Sequence, residues 1–183
     1  ECSPIVAITR ECWIKHGSVG LPIPTVHVKV DNPDENGEGE ICIKGDIVMM
    51  GYYNEPEKTA EVMENGWFNT GDIGSVDSDG FLYITGRKKN LILLDNGKNV
   101  YPEELETSIG RIENVDEVIV YEEGGLITAE IYAENSDAKE QIKKDIQEFN
   151  KSIAAYKQIR KIKFRTVEFE KTTTKKIKRN YNK

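Results

Sequence analysis

The sequence predicts an α+β protein in two parts. A β-rich, barrel-like segment covers residues 1–86, and a small α+β domain with a short sheet flanked by helices covers 91–183. Three observations lead there. VHVKV (26–30) and EICIKG (40–45) alternate apolar and polar residues across a loop rich in Gly, Asp and Asn, which is the patterning of a hairpin. Beyond Arg87 the texture changes to apolar helix stripes set between short strands. Charge is split as well: from Lys139 to Lys183 fifteen Lys/Arg stand against five Asp/Glu, leaving residues 1–138 at −17 in a chain of net charge −7. Residues 87–90 join the two parts.

Taken in order, IVAIT (5–9) reads as a strand, and GSVGLPIP (17–24) holds too much Gly and Pro for a helix. A turn at GYYN leads into a short helix over 56–63. A second hairpin turns on DSDG (77–80) into the strand FLYIT. Pro102 suits the first position of a helix, with Glu103 and Glu104 where the helix dipole favours anions, and Leu105, Ile109 and Ile112 share one face. VDEVIVYEE and LITAEIYAE form a hairpin through Gly124–Gly125. The longest helix covers 137–153, with Ile142, Ile146, Phe149 and Ile153 as its buried stripe. KIKFR (161–165) is the last strand. The tail 170–183 has little to bury and is expected to be a mobile loop.

Composition narrows the class. Charged residues make up 31% and hydrophobic ones 38%, ordinary for a soluble globular chain, and no apolar run is long enough to span a bilayer. Cys2, Cys12 and Cys42 lack metal-ligand spacing and read as reduced thiols, which fits a cytoplasmic protein, at most peripheral to a membrane. The basic C-terminal stretch predicts an anionic partner. Nucleic acid is disfavoured, because the stretch lacks interleaved aromatics and the rest of the chain is acidic.

The densest chemistry lies in residues 66–106, GWFNTGDIGSVDSDGFLYITGRKKNLILLDNGKNVYPEELE. Asp72 either caps its polar turn or accepts hydrogen bonds from a vicinal diol such as a ribose. The cations of GRKKN at this spacing favour the second, since Arg87 offers a planar fork of donors for sugar or phosphate. Trp67 and Phe68 read as core aromatics.

Five ordered blocks carry a family: ECSPI, GEGEICIKGDIVMMGYY, GWFNTGDIG, GRKKNLILLDNGKNVYPEELE and KTTTKKIKR. Through them the chain resembles the C-terminal part of an adenylate-forming (AMP-dependent) acyl-CoA synthetase, most of all the long-chain fatty acyl-CoA ligases. The resemblance implies the terminal β-rich part of a large adenylation domain (1–86), a hinge (87–90) and a small mobile domain (91–183). It implies ATP, Mg²⁺ and coenzyme A as cofactors, and a fatty acid as the partner substrate. It also implies an N-terminal part of the same enzyme, carrying the phosphate loop and acyl pocket, so that this chain alone is expected to be inactive.

Residue by residue, Glu1 matches the Glu that holds Mg²⁺, against an ordinary terminal Glu. Asp72 matches the ribose-binding Asp, and Arg87 the Arg that contacts ribose and phosphate. Lys89 matches the hinge residue, which is equally a solvated surface Lys. Gly97 matches the small residue beside the path of the pantetheine arm, with a plain turn glycine as its competitor. Lys176 matches the Lys that bridges acyl carboxylate and α-phosphate. Its loop departs from the family pattern, with Glu170 for the usual Pro and Lys175 for the usual Gly, which makes Lys175 a rival for the role. Two other readings compete: an adenylation domain that loads a carrier protein, and a basic-tailed nucleic-acid-binding module.

Overall fold

The computed structural model describes residues 1–179. It divides into two compact units, Glu1–Lys89 and Asn90–Lys183.

In the first unit, β1 (Ala7–Ile8) pairs antiparallel with β2 (Leu21–Pro22). Only two residues of IVAIT are strand, and their partner comes from the Gly- and Pro-rich stretch 17–24. The main sheet has five strands: β3 (Val26–Asp31), β4 (Gly39–Gly45), β5 (Met63–Glu64), β6 (Trp67–Val76) and β7 (Leu82–Arg87), with β7 on β6. Both hairpins have the expected antiparallel register, Val28 opposite Ile43 and Val76 opposite Leu82. Alternation explains the faces: Val26, Ile41, Ile43 and Leu82 form the core, and Phe68 is buried. The helix α1 (Pro56–Val62) opens on its proline, as the sequence suggests. At the DSDG turn Lys15 Nζ reaches Asp77 at 2.6 Å, which holds that carboxyl down at about 2.

The second unit begins with a small pair, β8 (Ile92–Leu93) and β9 (Asn99–Val100), before α2 (Pro102–Ile109). This helix stops at Gly110, so Ile112 lies beyond it and packs on the core only partly buried. Next come β10 (Glu117–Glu123) and β11 (Leu126–Tyr132), joined at Gly124–Gly125, then α3 (Lys139–Ser152) and β12 (Lys161–Arg165). β11 and β12 run parallel, so α3 is the crossover between them. Asn135 caps a short 3₁₀ turn at 136–138, which is why α3 begins at Lys139 rather than 137. Val118, Val120, Ile127, Ala129 and Ile131 share one core with Leu105 and Ile109 of α2 and Ile142 and Ile146 of α3. The side chains of Ile142 and Ile146 have no exposed surface. Each contributes about 1.5–3 kcal/mol of burial.

Two expectations changed. The tail is closed through residue 179 rather than loose: Lys171 bridges Ile177, Thr172 N donates to Lys176 O at 2.7 Å, and Phe169 is 3% exposed. Residues 180–183 of the expected mobile tail lie outside the described residues. The basic stretch also meets much of its anionic partner inside the fold. Lys157 pairs with Glu104, Lys161 and Lys163 with Glu123, Arg165 with Glu130, Lys171 with Glu117, and Arg179 with Glu103 and Glu106. Cys2, Cys12 and Cys42 are free thiols. No helix among the described residues is long and apolar enough to cross a membrane.

Candidate functional site

Asp72 and Arg87 lie directly opposite each other on β6 and β7. Arg87 Nε lies 2.9 Å from Asp72 Oδ1 as an ion pair, with side-chain exposures of 49% and 30%, and Arg87 Nη1 donates to Thr70 O at 3.5 Å. A pair this exposed contributes only about 0–1 kcal/mol to stability. Its consequence is geometric: it holds the guanidinium beside the carboxylate at the surface.

The backbone beneath is built for this. Gly71 sits inside β6 at φ +70°, a left-handed conformation that glycine adopts without strain, and it bends the strand just before Asp72. Thr70 Oγ1 donates to Ile41 O at 2.8 Å and accepts from Asp72 N at 3.0 Å. Glu40 accepts from Gly71 N at 3.2 Å and from Lys88 Nζ at 2.6 Å, and that contact raises the Lys88 ammonium pKa. Thr70 and Glu40 are the supports that sequence reasoning missed. Thr two residues before an Asp was the available signal for the first.

The other predicted residues are placed as follows. Glu1 Oε1 accepts from the Tyr52 hydroxyl at 2.9 Å, which raises the tyrosine pKa. No group of three or more His, Cys, Asp or Glu among the described residues is placed to hold a metal ion. Glu1 therefore offers a single carboxylate, which fits Mg²⁺ only in the mode where substrate phosphates complete its shell. Lys89 is exposed in a 3₁₀ turn, Lys88–Asn90, at the boundary of the two units. Gly97 belongs to the second unit, at φ +76° in the turn between β8 and β9, and its N–H donates to Leu94 O at 2.8 Å. A Cβ there would meet nothing within 4 Å. A cleft of about 300 Å³ lies beside it, lined in part by Leu94, Asn96, Tyr156 and Arg160.

Lys176 also belongs to the second unit, exposed near the tip of the 170–179 hairpin, and neither it nor Lys175 has an ionic partner among the described residues. Lys175, which replaces the glycine of the resembled pattern, is at φ +60°. The turn demands a left-handed residue, and an L side chain there costs about 1–2 kcal/mol. Lys175→Gly should therefore tighten the turn. The expected result is slower amide exchange at Thr172, whose N–H closes the hairpin on Lys176 O. Unchanged or faster exchange would show that the turn carries no such strain.

The family model described as AMP-binding enzyme matches residues 1–53. A long-chain-fatty-acid–CoA ligase of Salmonella typhimurium is 44% identical over 124 residues, which are 64% of this chain and 22% of that protein. The long-chain-fatty-acid–CoA ligase FadD13 of Mycobacterium tuberculosis is 39% identical over 166 residues, 86% of this chain and 32% of that protein. Among solved structures, the o-succinylbenzoate coenzyme A synthetase MenE of Bacillus subtilis, in complex with AMP, superposes with a TM-score of 0.78. It is 29% identical, over 92% of this chain and 36% of that one. The chain thus spans a third or less of the length of these curated relatives. Its fold and sequence are those of the C-terminal part of adenylate-forming ligases. Within that class the two curated relatives described above are long-chain-fatty-acid–CoA ligases.

Proposed function

We propose that this chain is the C-terminal part of an AMP-forming acid–thiol ligase that activates a long-chain fatty acid and passes it to coenzyme A. The observation that carries the reading is the Asp72–Arg87 pair, its members opposite each other on β6 and β7 and Arg87 two residues before Lys89 at the unit boundary. The names of the curated relatives support the fatty acid; MenE, by its name, acts on a different acid.

In this reading Asp72 accepts from the ribose hydroxyls of ATP, and Arg87 turns its remaining donors to ribose and phosphate. Lys176 lies alongside the α-phosphate and the fatty acid carboxylate, offsetting the charge of two anions that must meet. A carboxylate oxygen attacks the α-phosphorus and pyrophosphate leaves. The coenzyme A thiolate then attacks the acyl carbon and AMP leaves. Glu1 would hold Mg²⁺ jointly with phosphate oxygens, and the ion would supply charge neutralisation there. Rotation at Lys89 replaces the Lys176 face of the second unit by the Gly97 face between the two steps. Lys89 fits a hinge because an exposed side chain stays solvated while its backbone torsions change.

The test uses the full-length protein with a panel of carboxylic acids. ATP–pyrophosphate exchange should depend on fatty acid and be strongest with long chains, and coenzyme A should then give the thioester. Exchange with aryl acids alone would overturn the fatty acid assignment, and exchange with no acid would overturn the ligase. The 183-residue chain by itself should release no pyrophosphate from ATP and fatty acid.

A further inference from the structure

The hairpin that carries Lys176 is held at both ends by carboxylates. On its proximal arm Phe169 N donates to Glu117 Oε2 at 2.7 Å, and Lys171 pairs with the same Glu117 of β10. On its distal arm Arg179 pairs with Glu106 of α2 through one nitrogen, which also lies 3.5 Å from Glu103 Oε1. Glu106 in turn accepts from Val120 N of β10 at 2.7 Å, so both arms are referred to one strand. Glu103 accepts from Asn90 Nδ2 at 2.5 Å, and Asn90 is the buried residue that follows Lys89.

Two features set this cluster apart from ordinary surface pairing. Arg179 and Glu106 are largely covered, with side-chain exposures of 24% and 14%. Glu103 Oε2 is buried with no hydrogen-bond partner among the described residues, an arrangement that stability alone does not favour. Burial raises the Glu106 carboxyl pKa above its ordinary value, and Arg179 and the Val120 N–H oppose that rise by favouring the charged form.

We propose that Arg179 is a positioning residue for the adenylation step. Gripped by Glu106 and Glu103, it fixes the distal arm of the 170–179 hairpin and so the place of Lys176. Through Glu103 and Asn90 the same cluster ties that hairpin to the residue that follows Lys89. The cation at Lys176 arrives on a flexible stem, and a stem can only be as precise as its base.

This rests on the ligase reading above, so the test has one arm that does not. In the 183-residue chain, Arg179→Gln should speed amide exchange at Thr172, Lys176 and Lys178, whose N–H groups bond within the hairpin, while Ile119 and Ile131 in the sheet stay protected. In the full-length enzyme the same variant should lower kcat for ATP–pyrophosphate exchange about a hundredfold, the scale of a roughly 1 Å misplacement, with KM for ATP little changed. Thioester formation from preformed acyl-AMP should stay within about twofold of the parent, since uniform loss of fold would slow both steps alike. Glu106→Gln, which keeps an acceptor for Val120 N, should reproduce this split, and Arg179→Lys should recover part of the loss. Unchanged exchange at the hairpin amides would overturn the anchoring whatever the enzyme does. Faster amide exchange with unchanged kcat would overturn the positioning role. A parent enzyme inactive with every acid would instead count against the ligase reading.

Discussion

Lys176→Ala in the full-length enzyme is expected to cut ATP–pyrophosphate exchange by about a hundred- to a thousandfold, the cost of deleting one preorganised electrostatic stabiliser. Two anions meet in that step, and Lys176 is exposed on a hairpin fixed at both ends, with no ionic partner among the described residues to quench it. Transfer from synthetic acyl-AMP to coenzyme A brings no such anions together and should be nearly unaffected. Lys175→Ala is the control. Its side chain sits on a residue whose left-handed backbone serves the turn, so exchange should survive. Loss of exchange in Lys175→Ala with retention in Lys176→Ala would move the assignment by one residue.

Gly97→Leu is expected to give the mirror pattern, with thioester formation lost and pyrophosphate exchange kept. Within its own unit the space around Gly97 is open, so a side chain there meets nothing and the unit should fold. The positive φ adds about 1–2 kcal/mol of strain for any L residue. Gly97→Ala separates the two effects, because it bears the same strain with little bulk. If Gly97→Ala impairs transfer as much as Gly97→Leu, backbone strain and not obstruction is the cause. If Gly97→Leu and Lys176→Ala each slow both half-reactions equally, a rotation between two faces is wrong for this enzyme.

The strands and helices were legible because their patterns are local. Alternation in VHVKV and EICIKG set the β3–β4 register, and the Ile142–Ile146 spacing set the buried face of α3. Asp72 and Arg87 were chosen as separate residues, and their direct pairing follows from a hairpin register that the DSDG turn places. What could not be read was long-range and polar. Glu40 supports Gly71 from thirty-one positions away, and Arg179 finds Glu106 across seventy-three. No periodicity announces such contacts, and a lysine-rich tail with little apolar surface reads as loose until its carboxylate partners are seen. Lys175 shows the same limit: sequence says that a glycine is missing, and only the φ angle says that the turn kept its shape without it.

The pairing of the basic stretch with α2, β10 and β11 has a consequence for the rotation proposed above. Asn90–Lys183 contains seventeen Lys/Arg and seventeen Asp/Glu, so the second unit is electrically neutral and the chain's −7 resides in Glu1–Lys89. A body of zero net charge lacks the leading charge–charge term with the tetra-anion of a nucleoside triphosphate. Only its uneven charge distribution, its dipole, responds. Swinging such a unit between two orientations therefore costs little Coulomb work overall, while a single exposed ammonium on it can still be drawn to phosphate at close range.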